Sequence, residues 1–166
     1  ALKDPSTNAL VYKQDKIADI LNKHFASVGQ KLADEIPDSH ANFTEYLRDI
    51  NIKDSFFFTP VTQEEIENEI MLTPSNKSFG LYSFPINILK TSKHIISSPL
   101  AVIFNISITR GTFPTKLKTS KITPIFKSDN ETDPNNYRPI SVLSVFNRIF
   151  EKLMYNRLFK FIECNG

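Results

Sequence analysis

Two cations, Lys127 and Arg138, flank a polar segment and are the residues of this sequence best suited to bind an anion. Lys127 ends the run Lys-Ile-Thr-Pro-Ile-Phe-Lys, and Arg138 stands near the start of the run Tyr-Arg-Pro-Ile-Ser. The residues between them, 128–136, are rich in Asp, Asn and Pro, which favour turns. The pattern predicts a β-hairpin that brings an ammonium and a guanidinium group to one tip. Such a pair suits a triphosphate or a nucleic-acid backbone.

Charge is distributed unevenly along the 166 residues, although the net charge is only +2. Residues 1–69 carry 7 Lys/Arg and 13 Asp/Glu, residues 70–128 carry 8 Lys/Arg and no acid, and residues 129–166 carry 5 of each. The acid-free middle segment predicts a surface that faces something negative. The alternative is an ordinary basic face in contact with solvent.

Composition sets limits on the class of protein. The length suits one domain, or one domain with an appendage, and no apolar run approaches the roughly 20 residues of a membrane-spanning helix. The single cysteine, Cys164, excludes an internal disulfide framework and fits a reducing compartment. The sequence starts with Ala1 and has no signal-peptide pattern, which we interpret as a fragment of an intracellular protein.

Apolar spacing predicts that most of the chain around the hairpin is helical. After a lead-in over residues 1–14, predicted to be extended or poorly ordered, Asp15 is predicted to cap the first helix. Thr62 opens the capping box Thr-Gln-Glu-Glu of another helix. Pro99 is predicted to open a helix that Gly111 ends, although its β-branched residues leave a strand open. The predicted helices cover residues 15–36, 42–50, 63–73, 84–93, 100–110 and, behind Ser144 as a cap, 145–162.

Several motifs in a fixed order resemble the opening of the reverse transcriptases of non-LTR retrotransposons, in particular the LINE-type, jockey-like group. These motifs are Phe113-Pro-x-x-Leu-Lys118, Ile122-Thr-Pro-Ile-Phe-Lys127, Asp133-Pro-x-Asn-Tyr-Arg-Pro-Ile-Ser141 and Phe150-Glu-Lys-Leu-x-x-x-Arg-Leu158. Upstream, Asn76-Lys-Ser-x-Gly80 fits the first conserved block of that family. The segments 17–25 and 56–65 resemble the region that joins its endonuclease domain to the polymerase.

The resemblance implies an α+β, mainly helical fold that is an incomplete right-hand polymerase. Residues 1–74 would be a helical extension or linker that precedes the polymerase. Residues 75–166 would be the N-terminal part of the fingers subdomain, with its β-hairpin, truncated before the catalytic palm.

The resemblance also implies roles for single residues. Lys127 and Arg138 would bind the triphosphate of the incoming nucleotide. The loop with Lys77, Ser78 and Gly80 would lie near the template. Independently of the resemblance, the positive charge of the segment that leads to the hairpin, with Lys116, Lys118 and Lys121, suits a template backbone. Two positions depart from the family pattern, since Phe79 replaces a usual Pro and Tyr82 a usual Asp.

The complete parent would copy RNA into DNA with Mg²⁺ or Mn²⁺ held by palm carboxylates outside this chain. We therefore expect no catalytic or metal-binding residue here, and no polymerase activity from these residues alone. Asp129, Glu131 and Asp133 are interpreted as turn residues. The expected partners are an RNA template, a DNA primer or target and dNTPs, without a membrane, in the nucleus or in a cytoplasmic ribonucleoprotein.

Two other functions remain open at the level of sequence. The chain could be a non-enzymatic nucleic-acid-binding remnant of a decayed element, which keeps the basic segment without needing a palm. It could also be a helical domain that binds only proteins, but that alternative leaves the acid-free stretch unexplained.

Overall fold

The computed structural model describes residues 1–38, 42–46, 55–75, 80–81 and 84–165. Within these residues the chain is mainly helical with two small two-stranded sheets, as the predicted α+β class requires. The strands are β1 Leu2–Lys3, β2 Leu10–Val11, β3 Lys121–Phe126 and β4 Tyr137–Val142. The helices are α1 Gln14–Asp34, α2 Gln63–Leu72, α3 Ile86–Thr91, α4 Lys93–Arg110 and α5 Val145–Asn165, with 3₁₀ turns at Phe43–Tyr46, Thr115–Lys118 and Pro134–Asn136.

The chain packs as two compact units. The first contains residues 1–48 and 122–141, and the second contains residues 49–121 and 142–166. These packing units do not follow the division that we predicted after residue 74, because the hairpin packs with the N-terminal residues. The predicted domain division concerns the parent polymerase and stays a prediction.

The core of the second unit is built by α2, α4 and α5 around stacked aromatic rings. The ring of Phe150 lies parallel to that of Phe104 at 4.3 Å and to that of Phe113 at 5.3 Å. Asn105 of α4 fixes the chain before α2, since its side-chain oxygen accepts from the Val61 N–H at 2.7 Å and its Nδ2 donates to the Val61 carbonyl at 2.9 Å. The other buried apolar residues of this core are Ile66, Ile70, Ile86, Leu89, Val145, Ile149 and Leu153.

Three predicted helix boundaries are confirmed by their hydrogen bonds or backbone angles. Thr62 Oγ1 accepts from the Glu65 N–H at 3.2 Å while the Glu65 carboxylate accepts from the Thr62 N–H at 2.8 Å, which completes the capping box. Ser144 Oγ accepts from the Asn147 N–H at 3.2 Å at the start of α5. Gly111 ends α4 with a left-handed φ of 59°.

The N-terminal residues differ from the prediction of an extended or poorly ordered lead-in. β1 and β2 form an antiparallel hairpin in which Leu2 pairs with Val11, and Leu2 is only 2% exposed. The Lys3 N–H donates to the Thr132 carbonyl at 2.7 Å. Contacts with residues far along the chain therefore order this segment, and the local sequence does not reveal them.

Two predicted helix starts are wrong. α1 begins at Gln14 with Lys13 at the cap position and no side-chain cap, so Asp15 lies in the first turn, where its charge still favours the helix dipole. Pro99 lies inside α4, which begins at Lys93. Pro99 has no N–H to donate to the carbonyl of Ile95, one turn earlier. Both residues are exposed, so this carbonyl lies on the solvent side of the helix. Packing of α4 in the core offsets this loss.

The predicted β-hairpin is confirmed as β3 and β4, and its register follows from its closing hydrogen bond. The Lys127 N–H donates to the Asn136 carbonyl at 2.8 Å. Continued along both strands, this register pairs Ile125 with Arg138 and sets the two strand prolines, at positions 124 and 139, opposite each other. Neither proline then has to donate within the ladder, because their pair is a non-hydrogen-bonded one.

One further predicted helix falls on residues that are only partly described. The helix predicted over 42–50 is a 3₁₀ turn at Phe43–Tyr46, and residues 47–50 lie outside the described part.

Among the helices that the structure describes, none combines the length and apolar character needed to cross a membrane.

Candidate functional site

The hairpin presents Lys127 and Arg138 on one face. Side chains alternate along a strand, so Lys127 shares its face with Ile125, and the register places Arg138 directly opposite Ile125. Diagonal neighbours of this kind lie about 7–8 Å apart between their backbones, within joint reach of one polyphosphate. Both cations are exposed. The rings of Phe126 and Tyr137, 5.6 Å apart, occupy the opposite face, as the same register requires.

The turn that joins the two strands is held by its own hydrogen bonds. Asp133 Oδ1 accepts from the N–H and the Nδ2 of Asn135, both within 2.9 Å, and caps the 3₁₀ turn. Asn130 Oδ1 accepts from the N–H and hydroxyl of Thr132, and the Tyr137 hydroxyl donates to the Glu131 carbonyl at 2.7 Å. The tip that carries the two cations is thus pre-organised rather than dependent on a ligand for its shape.

The carboxylates of this turn act in local structure. Asp133 is a cap, and Asp129 occupies a left-handed conformation with φ 72°, which short polar residues tolerate. In the part of the chain that the structure describes, no group of three or more His, Cys, Asp or Glu side chains could hold a metal ion.

The first turn of α5 anchors two of the segments predicted to approach a template. A Cβ added to Gly80 would lie 2.7 Å from the Leu143 carbonyl and the Ser144 nitrogen, so only glycine fits there. Asn147 Nδ2 donates at 3.0 Å to the carbonyl of Leu117, in the 3₁₀ turn that carries two of the predicted lysines. Gly80 and this basic turn therefore both lie against the start of α5.

The predicted template residues are placed as follows. Lys116 and Lys118 are exposed on their 3₁₀ turn, and Lys121 is exposed as the first residue of β3. Gly80 is buried. Lys77 and Ser78 lie outside the described residues, as do Phe79 and Tyr82. Their roles towards a template stay predictions.

Replacing Gly80 by Ala should destabilise the chain because the new methyl group overlaps backbone atoms. We expect a loss of about 1–3 kcal/mol in the free energy of unfolding, measured by urea denaturation. Gly29, in α1, is the matched control, since nothing lies within 4 Å of its added Cβ. Gly29→Ala should stabilise by about 0.5–1 kcal/mol through helix propensity. Shifts of the same sign in both variants would contradict the packing role of Gly80.

Arg157 of α5 is a structural cation whose role no sequence pattern reveals. Its guanidinium donates to the Thr59 and Pro60 carbonyls at 2.9 Å, to the Leu153 carbonyl at 3.1 Å and to both Glu65 carboxylate oxygens at 2.9 Å. This set of bonds fixes the segment before α2 and its capping box against α5. The partners lie up to 98 residues away in sequence, so no local pattern indicates them.

Burial acts to raise the pKa of the Glu65 carboxyl, but hydrogen bonds from Thr62 and Arg157 and the arginine charge outweigh it. The pKa is therefore lowered. A lowered pKa contributes stability that is present above the unfolded-state pKa and is lost as pH falls through the folded-state pKa.

We therefore expect the free energy of unfolding to fall with pH below roughly pH 5, and to fall less steeply in Glu65→Gln. The difference should be less than about 1 kcal/mol because the carboxylate is 40% exposed. Thermal unfolding at a series of pH values measures it. Glu64→Gln, one position away at an exposed site on α2, is the control, and an equal change in both variants would contradict the role given to the Glu65 bonds.

A second feature missed in the sequence lies in the first unit. A groove of about 610 Å³ runs along α1 and is closed by the N-terminal hairpin and the 3₁₀ turn at Pro134–Asn136. We call it the α1 groove; its lining residues are Asp4, Pro5, Ser6, Val11, Lys16, Asp19, Ile20, Lys23, His24, Ser27, Val28, Lys31, Pro134 and Asn135. The signal was the recurrence of lysine along one helix face, which the net negative charge of residues 1–69 concealed.

Comparison with known proteins shows which proteins the chain is similar to. Over 162 residues, 95% of the chain, the sequence is 28% identical to the RNA-directed DNA polymerase from mobile element jockey of Drosophila melanogaster. It is 35% identical over 100 residues, 60% of the chain, to an RNA-directed DNA polymerase from transposon BS of the same fly. The chain is similar to RNA-directed DNA polymerases of non-LTR retrotransposons. The resemblance found in the sequence is thereby confirmed.

The chain is also similar to a 115 kDa protein in the type-1 retrotransposable element R1DM of Drosophila melanogaster, with 29% identity over 96 residues, or 57% of the chain. No protein-family model matches the chain. The matched regions make up 17%, 11% and 9% of these three Drosophila proteins, so the chain spans less than a fifth of the length of each.

Proposed function

We propose that the chain is the portion of an RNA-directed DNA polymerase that contributes contacts to the incoming dNTP and to the template. The observation that carries the proposal is the hairpin face with Lys127 and Arg138. Arginine offers a planar fork of donors and lysine a compact point charge, so the two together can hold non-equivalent oxygens of one triphosphate. The ordered turn between them keeps their spacing fixed before the nucleotide arrives.

The template contacts are proposed for the loop with Lys77, Ser78 and Gly80 and for the cations Lys116, Lys118 and Lys121. The contacts of Gly80 and Leu117 with the start of α5 support this, because they hold both residues at one end of the same helix. Phosphate contacts of this kind give affinity that depends on salt and not on sequence.

Phosphoryl transfer in such an enzyme needs divalent metal ions held by clustered carboxylates. We assign Mg²⁺ or Mn²⁺ to palm carboxylates outside this chain. The chain itself binds and orients: it neutralises phosphate charge and holds the triphosphate. The RNA template and the DNA primer are proposed as partners of the whole protein. The nucleus or a cytoplasmic ribonucleoprotein is its proposed location.

Primer extension on an RNA template tests the proposal. The full-length polymerase should incorporate dNTPs in the presence of Mg²⁺, and the 166-residue chain should incorporate none while retaining salt-dependent affinity for RNA. Incorporation by the isolated chain would overturn the assignment of the metals to other residues. Absence of RNA affinity in both proteins would favour a helical protein-binding domain, and RNA affinity without synthesis by the full-length protein would favour a decayed remnant.

A further inference from the structure

The α1 groove is lined by more cations than acids, although it is built mainly from an acidic part of the chain. Residues 1–69 contain 7 Lys/Arg and 13 Asp/Glu, yet 3 of those cations and only 2 of those acids line the groove. The three cations are Lys16, Lys23 and Lys31, and all are exposed. One of the two acids, Asp4, is engaged by its own turn, because its Oδ1 accepts from the Ser6 N–H at 2.8 Å and from the Ser6 hydroxyl at 2.6 Å. The groove therefore favours an anionic occupant.

The spacing along α1 indicates what kind of anion fits. With a rise of about 1.5 Å per residue, the lysines at positions 16, 23 and 31 span about 22 Å along the groove. Ile20, His24 and Val28 follow one another at intervals of four residues on the same face, between the cations, and all three are partly buried. The groove thus alternates charged rim positions with an apolar and aromatic floor. An extended chain of alternating phosphates and bases matches that pattern.

We propose that the α1 groove binds a single strand of nucleic acid, with Lys16, Lys23 and Lys31 on its phosphates and His24 with the apolar floor beneath its bases. The proposal rests on the proposed function for the identity of the anion. A run of acidic residues would also satisfy the lysines, but its carboxylate side chains offer no flat rings for the floor to cover. This site is distinct from the hairpin cations and from the basic turn on α5.

The test is fluorescence anisotropy of a labelled single-stranded RNA of about twelve nucleotides with the 166-residue chain. The triple variant Lys16→Glu, Lys23→Glu, Lys31→Glu should bind at least about tenfold more weakly. The slope of log affinity against log salt should become shallower by about 2, because each lost phosphate contact contributes roughly 0.7 to it. Circular dichroism checks that the variant keeps its helix content.

The matched control is the triple variant Lys3→Glu, Lys13→Glu, Lys160→Glu. It changes the net charge by the same amount at three exposed lysines that do not line the groove. This control should lose less than about threefold in affinity. Equal losses in both variants would overturn the proposal, since the effect would then be one of total charge. Displacement of the RNA by a poly-glutamate peptide at lower concentration than by unlabelled RNA would overturn it as well.

Cross-linking locates the strand without relying on charge reversal. In a Cys164→Ser background, a photo-cross-linker attached at Ser27→Cys should label the RNA, because Ser27 lines the groove. The same reagent at Ala26→Cys, exposed on α1 but outside the groove, should label it several-fold less. Similar labelling at both positions would contradict the site. These measurements detect binding directly, so they can succeed even if the full-length protein fails to synthesise DNA.

Discussion

Replacing Arg138 by Ala in the full-length polymerase is expected to lower kcat/KM for dNTP incorporation at least about tenfold, a loss of about 1.4 kcal/mol in transition-state stabilisation. The physical reason is that alanine removes a forked donor that meets phosphate oxygens in pairs, and the neighbouring Lys127 supplies only a point charge. Steady-state primer extension on a homopolymeric RNA template, with the dNTP concentration varied, measures the change.

Two further variants separate the role of Arg138 from a general loss of charge. Arg138→Lys keeps the charge but loses the fork, so its kcat/KM should lie between those of the wild type and Arg138→Ala. Arg110→Ala removes an exposed cation in the last turn of α4 and should change kcat/KM less than about twofold. Unchanged kinetics in Arg138→Ala would refute the triphosphate role proposed for the hairpin.

Replacing Phe150 by Ala should have the largest effect on stability. Its ring is stacked between those of Phe104 and Phe113 and is only 3% exposed, so the substitution removes buried apolar surface and leaves a cavity. Changes of this kind cost about 3–5 kcal/mol, a large share of the total stability of a small domain. Denaturation by urea, followed by circular dichroism, measures the difference.

Phe159→Ala is the matched control, because it removes the same side chain from the same helix at a position that is 42% exposed. It should cost less than about 1 kcal/mol. If the Phe150 variant is too unstable to purify, Phe150→Leu, which keeps most of the volume, should fold with an intermediate loss. Equal stability of the Phe150 and Phe159 variants would show that the core does not depend on the aromatic stack.

Features encoded by neighbouring residues were predictable from the sequence. The capping box at Thr62, the cap at Ser144, the left-handed Gly111 and the β-hairpin all follow from residue types a few positions apart. The predicted hairpin also gave the correct positions of Lys127, which directly follows β3, and of Arg138, the second residue of β4. Local hydrogen-bonding and conformational preferences decide such features, so a single sequence reveals them.

Features that depend on distant contacts were not predictable. Leu2 is ordered by pairing and burial in an N-terminal hairpin, and the bonds of Arg157 reach Thr59, 98 residues away. The usual position of proline in a first helical turn predicts that Pro99 opens a helix, whereas packing of α4 overrides that preference. The α1 groove forms only where three segments of the chain meet. The sequence alone therefore does not distinguish its lysines from other exposed residues of an acidic half.

The facing prolines of the hairpin have a consequence for how the molecule behaves at high concentration. In a non-hydrogen-bonded pair the backbone nitrogens point away from the partner strand, towards any strand that might add to either side. Pro124 and Pro139 carry no hydrogen there, so each edge of the ribbon lacks a donor at its midpoint. Another β-strand that adds to either edge would have to leave a carbonyl unbonded. The two-stranded ribbon can therefore expose apolar residues such as Ile125 and still resist growth into an intermolecular sheet.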